Sequence, residues 1–337
     1  MREPNFTNLL KVLRCEEPER PTLFEFFLNR PLYKRLAGAQ WSENTNLPSW
    51  YGNMIVAFGR AGYDYATVAG SSFRFPSGEK AAEKTVSLND GAVITDRKSF
   101  DAYPWAMPDP AEYDSLRMEL PRGMKFIVNG PGGVLENVIW LMGYDNLCFQ
   151  LADEPELVED IFAAVGSRLV RHYELAVQYD TVGACISNDD WGFKTQTMLS
   201  SADMRKYVFP WHKRIVETIH AAGKPVVLHS CGNLAPVMED VIEDMRYDGK
   251  HSYEDTICTV EESYQRWGGR IGIMGGIDMD FICRSSIDEI QRRCRGMFEL
   301  SAGKGGFALG TGNSVPEYID DEKYFAMISV ATGLQYE

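Results

Sequence analysis

The chain has 337 residues, of which 45% are hydrophobic and 24% charged, with a net charge of −14 and a pI near 4.9. At this length an ordinary apolar core suffices to hold a fold without disulfides or structural metal. So acidic a balance excludes broad binding to nucleic acid or to an anionic membrane surface, both of which need cationic patches; a few arginines could still serve an anionic small molecule. The seven cysteines, at 15, 148, 185, 231, 258, 283 and 294, are odd in number and never spaced as CxxC. The start, MREPNFTNLLKVLRCEEPERP, has no apolar stretch of the signal-peptide kind, and no later run approaches the roughly twenty apolar residues of a membrane span. The expectation is a cytoplasmic protein with reduced thiols and no membrane or nucleic-acid partner.

Residues 1–60 read as a mainly helical lead-in. Phe6, Leu9, Leu10 and Leu13 recur at helical spacing in FTNLLKVLRCEE, and NRPLYKRLAG opens on a helix-compatible proline and closes on glycine. From there short apolar strands alternate with amphipathic helices. MKFIVNGPGG is a strand running into a glycine-rich loop, and DEPELVEDIFAAVGSRLVRHYELAVQY a long helix with an acidic start. VGACISNDDWG is a strand ending in polar residues; SSADMRKYVFPWHKRIVETIHAAGK is helical, with Pro210 marking a kink or a junction. KPVVLHSCGN is a strand and LAPVMEDVIEDM a helix, followed by the strand and loop RIGIMGGIDMDF. SSIDEIQRRCRGMFELSAGK is a helix, GGFALGTGNSVP a last strand and loop, and EYIDDEKYFAMISVATGL a closing helix. The alternation predicts parallel strands with crossover helices in one domain: a (β/α)8 TIM-type barrel over residues 61–337 behind the lead-in, with an open doubly wound sheet as runner-up. Barrel strands deliver functional residues at their C-terminal ends, where NGPGG, SNDD, HSCGN, GGIDMD and GTGN fall.

Within VVLHSCGN, His229 and Cys231 lie two apart in an extended chain, so both point to one face. Imidazole and thiolate are both zinc ligands. The bland alternative is a buried histidine bonded to a carbonyl beside a core cysteine.

Taken together, HSCGN, GGID and GTGNSVPEY resemble the uroporphyrinogen decarboxylase superfamily, and the likeness runs from about residue 115 to the end. It includes GPGGVLENVIWLMGYDNLCFQLADEPELVEDIF and the NDDWG loop. The resemblance implies the (β/α)8 fold and either a decarboxylase or a methyltransferase working with a corrinoid protein. True decarboxylases carry an arginine-rich stretch near the N-terminus for the eight carboxylates of their substrate. The matching FEFFLNRPLYKRLAG keeps Arg30 and Arg35 but not that motif. At Thr311, decarboxylases place histidine and the zinc methyltransferases a cysteine as third ligand. The retained H-x-C pair is a methyltransferase feature, so the resemblance strengthens the zinc reading of His229 and Cys231.

With threonine at 311, a third ligand must come from elsewhere. Asp190, at the end of the preceding strand and at a substrate-contacting position by the resemblance, is the first candidate, against helix capping as its bland role. Asp189 reads as a cap for the following helix or as solvated. His251 and Glu254 close the next strand and offer a third ligand or an acid–base group, or else are solvated. Asp278, Thr311 and Asn313 are candidates to bind or orient a substrate; Asp64 matches the aspartate that decarboxylases place under their macrocycle; Asn129 and NGPGG allow a ligand near backbone amides. His172, His212 and His220, on helices among charged residues, receive no function. The expectation is a zinc-dependent methyltransferase, acting on a small methylated substrate with a separate corrinoid protein, and demethylating an O- or N-methyl donor or methylating a thiol. A cofactor-free decarboxylase and a non-catalytic tetrapyrrole- or corrinoid-binding protein are the alternatives.

Overall fold

In the computed structural model, which describes residues 2–78 and 87–336, seven parallel strands follow one another across a sheet in chain order. They are β1 (Tyr65–Val68), β2 (Lys125–Asn129), β3 (Val182–Asn188), β4 (Val226–His229), β5 (Gly249–His251), β6 (Gly272–Met274) and β7 (Phe307–Ala308). β1 and β4 are buried at every position, as expected of parallel strands covered on both faces. A strictly sequential order has no point at which the strand order reverses, and so removes the doubly wound alternative.

The sheet curls until its edges approach, but backbone pairing does not close it. The extended segment around Thr22–Phe26 sits between them. On one side it pairs with the chain just after β7, Phe24 N–H donating to Leu309 O at 2.8 Å and Leu309 N–H to Thr22 O at 2.8 Å. On the other side it meets β1 only through a side chain, the Tyr65 hydroxyl bonding both the N–H and the carbonyl of Glu25. An eight-stranded closed barrel is therefore corrected to a curled seven-stranded sheet with a lead-in segment in the gap. The lead-in supplies that segment besides its helices Thr7–Leu13, Arg30–Ala37 and Leu47–Ala61.

The remaining elements follow local chemistry. Asn29 caps Arg30–Ala37 by accepting from Leu32 N–H at 2.8 Å, and Gly38 with φ 51° ends it. The long helix is Pro155–Ala176. Beside Pro210, which has no N–H to give the helical ladder, a π-helical turn over Met204–Val208 leads into Phe209–Ala221. LAPVMEDVIEDM departs from the expected regular helix, forming a 3₁₀ turn at Ala235–Val237 and a π turn at Asp240–Asp244. Among the described residues no helix is long and apolar enough to cross a membrane, and all seven cysteines are free thiols.

Candidate metal centre

Strand register brings the centre together. Asn188 of β3 is level with His229 of β4, and His229 with His251 of β5. Partners in register share a face, so the two imidazoles meet at the C-terminal edge of the sheet, their Nδ1 atoms 2.7 Å apart. Beyond the strands, the NDDWG and HSCG loops are stitched together. Asp189 N–H donates to His229 O at 2.9 Å, Cys231 N–H to Asp190 Oδ1 at 2.9 Å, and Gly192 N–H to Cys231 O at 3.2 Å. The stitch requires Gly232, which has φ 85° and whose added Cβ would stand 2.1 Å from Gly192 O.

Ligand atoms of Asp190, His229 and Cys231 thereby lie within 4.8 Å of one another. The chemistry of this donor set fits a borderline divalent cation such as zinc. Its imidazoles are ready to coordinate, whereas its two acidic members must first give up their protons. Burial and then Asp190 push the Cys231 thiol up to about 12, and burial raises Asp190. His229 falls well below its ordinary value through burial and then the neighbouring His251, and burial takes His251 down to about 3. Both imidazoles are neutral. The Thr311 carbonyl, which can only accept, faces His251 Nε2 at 3.1 Å and places that ring's proton there. His251 Nδ1 is then an acceptor, His229 Nδ1–H donates to it, and His229 Nε2 keeps a free lone pair. Asn313 Nδ2 and Ser252 Oγ each donate to Cys231 Sγ, at 3.3 and 3.4 Å.

The cluster forms the floor of a cavity of about 800 Å³ whose walls include Phe26, Phe27, Tyr33, Trp50, Met54 and Trp140. The Phe26 ring lies 4.6 Å from that of His229, so the apolar wall begins at the cluster itself. Asn129, Asp190, His229, Cys231 and Asn313 of the expected site line this space. Among the described residues Arg30 is its one basic lining residue besides the neutral His229, and it pairs with Glu43 at 3.4 Å.

The other expected residues lie elsewhere. His251 is wholly buried behind His229 and orients it. Glu254 faces a separate small pocket beside Lys250. Asp278 caps helix Met279–Arg284, accepting from Phe281 N–H at 2.9 Å and also from Asp255 N–H at 2.9 Å. Asp64 precedes β1, at the opposite end of the sheet from the cavity, paired with Arg20 at 2.6 Å. Thr311 is buried against Glu25, and its hydroxyl also contacts the Asn313 carbonyl. One hydroxyl proton cannot serve both, so the Glu25 carboxyl carries its own; burial raises it to about 8. Asp189 caps a helix, but the one across the loop rather than the one that follows. Its carboxylate accepts from Leu135 and Glu136 N–H at 2.9 Å each, at the start of Val134–Met142, and from His212 Nε2 at 2.8 Å. A Cβ at Gly133 would stand 2.1 Å from that carboxylate.

Sequence reasoning missed three residues. Glu25 had no polar neighbour in its apolar run to signal it. Glu136 lines the cavity, raised to about 8 by burial and then by Asp189 and Asp190; its place in the first turn after NGPGG was the available signal. Thr67, nearly buried on β1, lines the cavity with its hydroxyl unpartnered, and nothing in YATV marks it.

A polar cluster at the C-terminal edge of a curled parallel sheet is the site layout of barrel-type enzymes. This chain belongs to the uroporphyrinogen decarboxylase (URO-D) family, whose model matches residues 115–334. Among solved structures it is similar to a methyltransferase from Methanosarcina mazei, with 13% identity, a TM-score of 0.72, and coverage of 98% of this chain and 99% of that one. A vitamin-B12-independent methionine synthase candidate from Listeria monocytogenes aligns at 13% identity over 100% of both chains, with a TM-score of only 0.45. A comparison with curated proteins finds no match.

Proposed function

We propose that this protein is a zinc-dependent methyltransferase that demethylates an O- or N-methyl donor, with a corrinoid on a separate protein as the methyl acceptor. The observation that carries the reading is the Asp190–His229–Cys231 cluster, with His229 Nε2 left free to coordinate. The Methanosarcina methyltransferase shares the fold over nearly its whole length, which is compatible with this reading. Zinc held by those three side chains would supply Lewis-acid polarisation of the atom bearing the methyl group. The chain's own residues do the rest. The aromatic wall gives the donor an apolar surface to pack against, Thr67 Oγ1 offers it a hydrogen bond, and His251 fixes the coordinating tautomer of His229. A substrate with many carboxylates is disfavoured, because among the described residues Arg30 is the one cationic side chain on the cavity wall and is already paired.

The test is elemental analysis of protein purified without chelator or affinity-tag metal, beside a His229→Ala/Cys231→Ala double variant. Near-stoichiometric zinc, absent from the variant, is expected. The loaded protein should then demethylate a panel of O- and N-methyl donors with free cob(I)alamin as acceptor. A native protein that neither contains zinc nor takes it up at neutral pH overturns the reading.

A further inference from the structure

Among the described residues, Lys250 is the only lysine or arginine that is buried, at 5% exposure. It sits on β5 next to His251, and alternation turns it to the opposite face, away from the imidazole pair. A buried ammonium normally sits against a carboxylate. This one instead donates to the carbonyl of Ser252 and rests 4.3 Å from the centre of the Tyr253 ring.

Ser252 is itself a link. Its hydroxyl donates to Cys231 Sγ at 3.4 Å and its N–H to Ser230 O at 3.4 Å, so the residue that Lys250 grips is held against the HSC loop on its other side. Cys231 comes first among the charged and acidic groups that Lys250 senses, and Asp190 is also among them. Burial lowers the ammonium only to about 8, so it is cationic at neutral pH. A fixed positive charge thus stands one serine away from Cys231.

We infer that Lys250 is a positioning residue for the Asp190–His229–Cys231 centre: it clamps Ser252 so that the hydroxyl stays on Cys231 Sγ, and it holds a buried positive charge one residue away from that sulfur. The inference rests on the metal-centre reading for its metal consequences, whereas its effect on Cys231 itself does not depend on metal.

The experiment compares wild type with Lys250→Met, which keeps the length of the stem, with Ser252→Ala, and with the double variant, each checked for folding by circular dichroism. Zinc affinity should fall about 10–100-fold in Lys250→Met, and the thiolate-to-cobalt absorption of the cobalt(II)-loaded protein should weaken. In metal-free protein, alkylation of Cys231 by iodoacetamide at one fixed pH, mapped by mass spectrometry, should slow by about tenfold. Ser252→Ala should shift each readout less and in the same direction, and the double variant should be no worse than Lys250→Met. A folded Lys250→Met with unchanged zinc affinity, cobalt spectrum and Cys231 reactivity overturns the inference. If Lys250→Met fails to fold, an unchanged Ser252→Ala overturns the clamp. If wild type binds no zinc, the metal-centre reading fails, and the alkylation rates alone decide the role of Lys250.

Discussion

Asp189 and Asp190 are adjacent carboxylates on one loop, and their surroundings differ completely. Asp189 is fully buried with its oxygens occupied: two helix N–H groups and the His212 imidazole donate to it, and His212 in turn holds the Tyr247 hydroxyl at 2.7 Å. Asp190 reaches the cavity, accepts one backbone N–H, and shares its remaining space with the Cys231 thiol and with an imidazole whose Nε2 is free. Burial with three donors on the carboxylate makes a structural group. Burial with lone pairs left open toward a common point makes a place for a cation. Side-chain type does not separate the two; the hydrogen-bond partners do.

The largest expected effect breaks the first half of that contrast. Asp189→Ala strands two helix N–H groups and the His212 ring in a buried site, and should cost about 3–5 kcal/mol in denaturant unfolding. Asp190→Ala removes one accepted bond and a carboxyl that burial already disfavours. It should change the stability of the metal-free protein by less than about 1 kcal/mol, yet abolish tight zinc binding. Comparable destabilisation in the two variants would mean that Asp190, too, is a structural group.

Glu25 extends the comparison to an acid that is neutral for good reason. Its folded-state proton is held up to about pH 8, whereas in the unfolded chain it leaves near the ordinary carboxylate value. Between those points the unfolded state has released a proton that the folded state retains. Stability is therefore full at low pH and declines as pH rises through this window, by at most about 5 kcal/mol for this group. Glu25→Gln should remove that part of the decline, leaving the variant relatively more stable than wild type at pH 8 than at pH 5.

The cluster titrates with the opposite consequence for binding. Zinc needs the Cys231 thiol as thiolate and Asp190 as carboxylate, and burial keeps the protons on both groups longer than usual. Raising the pH should tighten zinc binding, by up to about tenfold per pH unit for each proton displaced. A calorimetric titration in buffers of different ionisation enthalpy counts those protons. No release would show that the thiol is not a ligand.

Much of this could be read from the chain because it follows from local pattern. The strand runs FIV, ACIS and VVL and the alternation that puts His229 and Cys231 on one face are properties of a few consecutive residues. What stayed hidden depends on register and on gap filling. His251 becomes the orienting partner of His229 only because β5 sits level with β4, and one residue of slip would turn it to the other face. The Thr22–Phe26 segment fills the gap beside β1 although FEFF carries no turn or strand boundary that says so. Asp189 caps a helix some fifty residues back along the chain, a choice made by tertiary packing and by the bare Cα of Gly133.

The smallest predicted effect isolates the imidazole pair. His251 makes no contact with the cavity, so its contribution passes through the proton on His229 Nδ1. His251→Phe keeps a ring in place against Phe24 but removes the acceptor, so His229 loses the bond that fixes its tautomer, and zinc affinity should fall about 10–100-fold. His251→Gln can restore both halves of the relay, since its amide oxygen can accept from His229 while its NH₂ donates to the Thr311 carbonyl. Recovery of most of the affinity in the glutamine variant, with both variants folded, would identify the hydrogen bond rather than the packing as what matters. Equal losses in the two would place the contribution of His251 in the shape of its ring, and would make it structural in the same sense as Asp189.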